Sequence, residues 1–449
     1  MRDAVIVGGG IVGILAAIQL RLKGVKVTLI EKDSECGGLL KSVQNNSGIY
    51  FDYGTHIPSE TSNDELDSIL FSEMNNDKWN SFSTIKAGNY FNKNLYDKSQ
   101  FIYLPSLKSS SYENGLFQLL NSKFSRRDLV ESDNLLEYYN KLYGSIFTED
   151  IFRPILKKFL GTDMEYLHSS AASVFSLTRL IPGNEFLTNN LKKIPLYDEK
   201  LAFVNYHEGV SNQKKFYPIN GYGVQQWVMD ILLKAETLGV KILTETFITS
   251  IDIKDKRIES LKLNTGEIIK TNILVWTANT YLLSNLIGLT NNMQKPKMRT
   301  MVLFNFVFDK HFLVENHYIN CYDSDFKTFR VTLYPNLKSG HSENTPINCT
   351  VEVLMNKGDY SDIENEIFNE LVIMGIISDD TEVIDVDKIE INDAFPIITP
   401  EYHYGIKLNN ENIRDSVRNL VMAGKATGES FFLSDSLIDV FNKIRKLNF

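Results

Sequence analysis

Six residues near the start of the chain have the types and spacing to hold a phosphate: Gly8-Gly9-Gly10-Ile11-Val12-Gly13. The run Ala4-Val5-Ile6-Val7 before them is the pattern of a strand buried on both faces. Ile11, Ile14, Leu15, Ile18 and Leu22 then recur at helical spacing. Gly24 follows where a left-handed cap is wanted, with Arg21 and Lys23 in the last turn. Val25 to Ile30 reads as a second strand and ends at Glu31. In such a βαβ unit each glycine has a task. Gly8 permits the tight turn, Gly10 lets the backbone approach a pyrophosphate, and Gly13 lets the helix lie close on the strand. The helix start offers free N–H groups and its positive dipole end to the anion. Glu31, 18 residues after Gly13, is placed to accept from ribose hydroxyls. The predicted ligand is a dinucleotide, with Gly8, Gly10, Ile11, Val12, Gly13, Glu31 and Lys32 as contacts.

A nicotinamide enzyme usually continues into further βα units after this point. Here a second glycine pair follows, Gly37-Gly38-Leu39, and can bring N–H groups against the same cofactor. Then comes Phe51-Asp52-Tyr53-Gly54-Thr55-His56-Ile57-Pro58. Together these motifs resemble the FAD-binding entry of the amine-oxidase superfamily, which includes protoporphyrinogen-oxidase-like proteins and UDP-galactopyranose mutase. The resemblance implies FAD as cofactor, with Gly37, Gly38, Leu39, Gly54, Thr55 and His56 near the flavin. His56 is the candidate catalytic residue, tuning flavin N5 or touching substrate; a hydrogen-bonded structural histidine is the alternative.

The resemblance returns further along. Phe216 to Leu238 runs from a glycine-containing stretch into a helix, followed by strands at 240–243, 258–263, 267–270 and 273–276. It implies that Ile248 lies at the adenine end and that Ala278 follows a cofactor-domain strand. Near the C-terminus, Asn419 to Gly424 reads as a strand. Ser434-Asp435-Ser436 then precedes Leu437, Ile438, Phe441 and Ile444, an N-cap signal. In the superfamily this strand–turn–helix sets N–H groups at the flavin O2 edge, which implicates Gly424, Lys425, Ser434, Ser436 and Leu437. Lys425 suits a place near the pyrophosphate, or is a plain surface lysine.

The expected fold is α/β: a doubly wound, Rossmann-type FAD-binding domain with an inserted α+β substrate domain. Residues 1–80, 205–292 and 390–449 are assigned to the first, and 81–204 and 293–389 to the second. A helical insertion covers about 113–204, and another helix is expected over 361–377. Residues 143–183 are loosely similar to the mutase's helical part, and Arg179 resembles an arginine that grips a nucleotide diphosphate. A helix-end arginine is the alternative. Phe431-Phe432-Leu433-Ser434 departs from the mutase, whose signature carries diphosphate-binding tyrosines there. Tyr334, Phe306 and Tyr402 are candidates to line a substrate pocket, with core packing as the alternative.

Composition bounds the function. The 449 residues are 43% hydrophobic and 23% charged, ample for a large core. A net charge of −9 argues against non-specific nucleic-acid or anionic-membrane binding. Three scattered cysteines, Cys36, Cys321 and Cys349, fit a reducing, cytoplasmic setting rather than a disulfide framework. Covalent flavin attachment at Cys36 is not expected. The seven histidines lack metal-ligand spacing, so no metal is assigned. The uncharged run from Ala4 to Leu20 is read as strand and helix, not as a signal or membrane segment. The leading expectation is FAD-dependent oxidation of a small molecule by hydride transfer, with nucleotide-sugar or polysaccharide metabolism as the first guess and a hydrophobic amine or porphyrin-like compound as the other. A mutase-like isomerase using reduced flavin and a non-catalytic FAD-binding or assembly protein are the alternatives. Oligomeric state is left open.

Overall fold

The computed structural model describes residues 2–447 except 76, 130, 131, 133, 209–212, 290–295, 339–344, 359–362 and 431. The expected domain start at 293, the first residues of the helix expected over 361–377, and Phe431 lie outside the described residues.

A five-stranded parallel sheet organises the nucleotide-type region. Its order is Leu420–Met422, Ile273–Trp276, Asp3–Val7, Lys26–Ile30 and Lys241–Leu243. Parallel strands must be covered on both faces, and these are. On one face the helix Ile11–Leu22 packs beside Gln225–Thr237 and Leu433–Arg445, with Ala16 and Ala17 fully buried. The amide of Gln19 donates to the carbonyl of Phe441 at 3.2 Å and ties the first helix to the last. The other face carries the antiparallel strands Ile248–Lys254, Arg257–Leu263 and Ile268–Lys270, with helices Thr280–Leu286 and Pro400–Ser416. The sheet is therefore doubly wound. The run from Ala4 to Leu20 is strand and helix, and among the described residues no helix is long and apolar enough to cross a membrane.

A second, seven-stranded sheet runs Val383–Pro396, Met298–Phe308, Ile347–Met355, Thr328–Leu333, Tyr318–Cys321, Ala87–Phe91 and Asn94–Tyr96. Side-chain alternation gives it two different faces. Phe304, Phe306, Val331, Val351 and Val353 form one, sealed by the helix Glu364–Ile373. Arg330, Thr332, Thr350 and Glu352 stand on the other, and Thr55 of the nucleotide-type region meets that face. The strand Val383–Pro396 of this sheet passes through 390.

The insertion is helical, with Ser109–Asn121, Leu135–Tyr143, Arg153–Leu160 and Glu185–Lys192 as its longer helices. Its core is aromatic. Tyr139 stacks on Phe152 with centroids 4.0 Å apart, and Tyr143 and Phe159 are fully buried beside them.

Candidate functional site

The glycines act in different ways. Gly8 has φ +107°, and a Cβ there would lie 2.4 Å from the Thr277 hydroxyl. A Cβ on Gly13 would lie 2.0 Å from the Gly8 carbonyl oxygen, so Gly13 serves helix–strand packing. A Cβ on Gly10 would meet nothing within 4 Å: it would project into open space at the helix start. Gly10 is the N-cap of Ile11–Leu22, and no side chain caps that helix. Its N–H groups remain for an anion. The second glycine pair closes on the first, for Gly37 N–H donates to the Gly9 carbonyl at 2.9 Å and Gly10 bridges to Gly37. Gly37 and Gly38 take φ +130° and +59°, where side chains are disfavoured.

A cavity of about 690 Å³ runs along this wall, within the range of ligand sites. Gly8, Gly10, Ile11, Val12, Gly37, Gly38 and Leu39 line it. So do Glu31, Lys32, Ile248 and Ala278, and His56, Gly424, Lys425 and Ser436. The Glu31 carboxylate accepts Gly9 N–H at 2.6 Å and Asp33 N–H at 2.9 Å, which fixes it at the cavity rim. Glu31→Gln is expected to weaken dinucleotide affinity roughly 10- to 100-fold, the worth of charged hydrogen bonds, in an equilibrium titration.

Five predicted contacts stand back from the cavity. Gly13 lies beneath the helix, and Leu437 is 1% exposed within the core. Gly54 and Thr55 pack on Glu352. Ser434 is not a cap, because the helix begins one residue earlier, at Leu433. Ser436 instead pairs with the Ser430 hydroxyl at 2.8 Å inside the first turn. This second helix start also has no side-chain cap, and Leu433 lines the cavity. The substrate candidates lie elsewhere. The Arg179 guanidinium donates to the carbonyls of Asp198 and Leu201. The Tyr334 hydroxyl accepts Asp52 N–H at 2.9 Å and meets the Thr350 hydroxyl at 2.8 Å. Phe306 belongs to the sealed face of the large sheet, and Tyr402 is half-buried on the helix Pro400–Ser416.

Several cavity residues were not anticipated. Phe247 and Leu282 are apolar yet about half exposed, and both line the cavity. Leu282 lies on the helix Thr280–Leu286, capped by Asn279, and Phe247 directly precedes Ile248. Behind His56, outside the cavity lining, the large sheet carries Arg330, which grips Glu352 through two contacts of 2.8 Å. Burial pushes the His56 imidazole down to about 4, and nearby Lys425 and Arg330 push the same way against Glu352. A depressed histidine is neutral above that value and gains its proton only as pH falls through it. His56 is therefore expected to contribute no inflection between about pH 5 and 8, checked by following its ring signals across that range. Burial, then Arg330, lowers Lys425. Cys36 packs against Gly9, and burial with Glu31 raises its thiol to about 11, which leaves it protonated rather than nucleophilic. Among the described residues no group of three metal-type ligands occurs.

The residues fit a dinucleotide: an open glycine cradle, an uncapped helix start, an acid at the rim and a cavity long enough to reach a second uncapped helix. Comparisons with known proteins agree. A family model for an NAD(P)-binding Rossmann-like domain matches residues 6–70. The chain is 22% identical over 307 residues to a 4,4'-diapolycopene oxygenase of Methylomonas sp. It is 23% identical over 289 residues to a 4,4'-diaponeurosporene oxygenase of Staphylococcus aureus. Each match spans 61% of this chain and 55% of the relative, so the chain covers about half the length of these curated relatives. Among solved structures it resembles reduced UDP-galactopyranose mutase, with TM-score 0.75 and 14% identity over 99% of this chain and 95% of that one. A protein of Exiguobacterium sp. 255-15, provisionally assigned as a protoporphyrinogen oxidase, gives TM-score 0.69 and 17% identity over 99% and 98%. A redesigned putrescine oxidase gives TM-score 0.62 and 13% identity over 99% of both chains.

Proposed function

We propose that this chain, whose fold is that of the FAD-dependent amine-oxidase superfamily, is an FAD-dependent oxidoreductase acting on a small molecule. The observation that carries the reading is the continuous cavity from Glu31 and Ile248, past the Gly10 cradle, to His56 and Lys425. When bound, the flavin supplies a hydride acceptor. The chain's own residues bind and orient it. The helix start at Gly10–Val12 would hold the pyrophosphate, Glu31 the ribose, and Phe247 and Ile248 the adenine. The helix start at Leu433, with Ser436, would favour negative charge on the reduced ring. Lys425 places an ammonium group at that end, and neutral His56 offers a hydrogen bond without a charge.

The sheet face beside His56 carries Arg330, Glu352, Thr332 and Thr350. Free, buried Cys36, Cys321 and Cys349 accord with a reducing compartment such as the cytoplasm. The experiment is anaerobic mixing of the purified protein with amines, hydroxy compounds and nucleotide sugars while flavin absorbance is followed. Bleaching by a substrate supports oxidation. No bleaching, with turnover only after dithionite reduction, supports the mutase-like reading, which the whole-length likeness to UDP-galactopyranose mutase favours. Neither result would leave a cofactor-binding protein without turnover.

Arg179 separates the readings further. Its guanidinium is engaged by two carbonyls. Arg179→Ala is expected to change nucleotide-sugar affinity less than about threefold and to cost about 1 kcal/mol of stability. A tenfold loss of affinity would restore the diphosphate grip.

A further inference from the structure

Beside the cavity, His56 feels two cations from different regions, Lys425 and Arg330, and the carboxylate of Glu352. Glu352 lies on the strand Ile347–Met355, and its side chain has no exposed surface. Its Oε1 accepts Arg330 Nε at 2.8 Å, and its Oε2 accepts Arg330 Nη2 at 2.8 Å. Oε1 also accepts the N–H and the hydroxyl of Thr55, both at 3.0 Å. Gly54, at φ +100°, packs so closely that a Cβ would lie 3.3 Å from Oε2. Two residues on, His56 lines the cavity, and Lys425 lines it from the segment after Met422. One carboxylate thus holds the Gly54–His56 turn against the large sheet and offsets the charge of Arg330.

We propose that Glu352 is a positioning residue that sets the flavin's affinity for electrons, by fixing the Gly54–His56 turn and cancelling one positive charge beside it. This inference rests on the FAD reading above. Removing the Glu352 charge makes the surroundings of His56 more positive by one charge; removing the Arg330 charge makes them less positive by one. Charges in a water-poor wall are felt more strongly than in solvent. A more positive wall stabilises a reduced, anionic flavin, and a less positive wall disfavours it. The two variants therefore act in opposite senses, which loosened packing of a shared turn does not produce.

The test measures the flavin midpoint potential of Glu352→Gln, Arg330→Gln and Glu352→Asp holoproteins by dye equilibration. Glu352→Gln is expected to raise it and Arg330→Gln to lower it, each by at least tenfold in the reduction equilibrium, about 30 mV for a two-electron couple. Glu352→Asp keeps the charge and stays near the parent. A second readout needs no flavin. The charged and polar neighbours acting on His56 are Lys425, Arg330, Glu352 and the Tyr53 backbone. In histidine-labelled protein, the His56 ring titration should move up in Arg330→Gln and down in Glu352→Gln. Shifts of the same sign in both variants, or Glu352→Asp behaving like Glu352→Gln, overturn the inference with flavin still bound. A protein that holds no flavin overturns the FAD reading and the flavin part of this inference, while opposite His56 shifts there would preserve the charge role alone.

Discussion

Gly10→Val yields a folded protein that no longer holds its cofactor. The geometry makes this an unusually clean separation. Gly10 has φ −72° and ψ 170°, a conformation open to any residue, and a Cβ there meets no protein atom within 4 Å. The added side chain therefore fills the cradle instead of straining the fold. Stability should change by less than about 0.5 kcal/mol, as for a substitution on an open surface. Cofactor retention should fall by more than 100-fold, because the pyrophosphate must reach the N–H groups directly behind that carbon. Gly13→Val is the contrasting case. Its Cβ would stand 2.0 Å from the Gly8 carbonyl oxygen, so it should destabilise the fold itself. Comparing melting curves with bound-flavin absorbance distinguishes the two. If Gly10→Val keeps a full complement of flavin, the glycine cradle is not the cofactor site.

Asp52→Ala is expected to lower stability by about 3–5 kcal/mol, the cost of stripping a buried polar network of its centre. Asp52 is 1% exposed and accepts the Tyr217 hydroxyl at 2.7 Å, the Ser42 hydroxyl at 2.7 Å and Val224 N–H at 2.8 Å. Its own N–H donates to Tyr334. Burial pushes its carboxyl upward, and the bonds from Tyr217, Ser42 and Val224 pull it back. Ser42, Tyr217 and Val224 meet at this one side chain, and Tyr334 meets its backbone. Gly223 exists for it, since a Cβ there would stand 2.2 Å from Asp52 Oδ1. Denaturant unfolding should show a lower midpoint, and Asp52→Asn, which retains an acceptor, should lose less. A loss under about 1 kcal/mol for Asp52→Ala would mean that water replaces the network.

The cradle was legible because its constraints are local. Gly8, Gly10 and Gly13 are read from one turn and the elements beside it, and the alternation from Ile6 to Ile30 fixes those elements. The His56 surroundings were not legible. Arg330 and Glu352 meet through sheet pairing across 22 residues, and Glu352 reaches Thr55 across 297. No periodicity announces such a meeting. The helix Pro400–Ser416 was also missed, for a different reason. Its buried face uses Asn409 and Asn410, and Asn410 donates to the Thr427 carbonyl at 2.7 Å. An apolar stripe is therefore incomplete there. Phe247 and Leu282 show the converse. They read as ordinary surface residues until the cavity explains why apolar carbon is left half exposed. Ser434 misled because a serine before an apolar helix is a good cap signal, yet the helix had already begun at Leu433.

The measurement that bears most directly on the central claim is the visible absorption spectrum of the purified protein, followed by the mass of the cofactor released on denaturation. The account predicts flavin bands near about 375 and 450 nm, with FAD as the released molecule, as the cofactor chemistry requires. A colourless protein that cannot be reconstituted with FAD, or one that releases a nicotinamide dinucleotide, would contradict it.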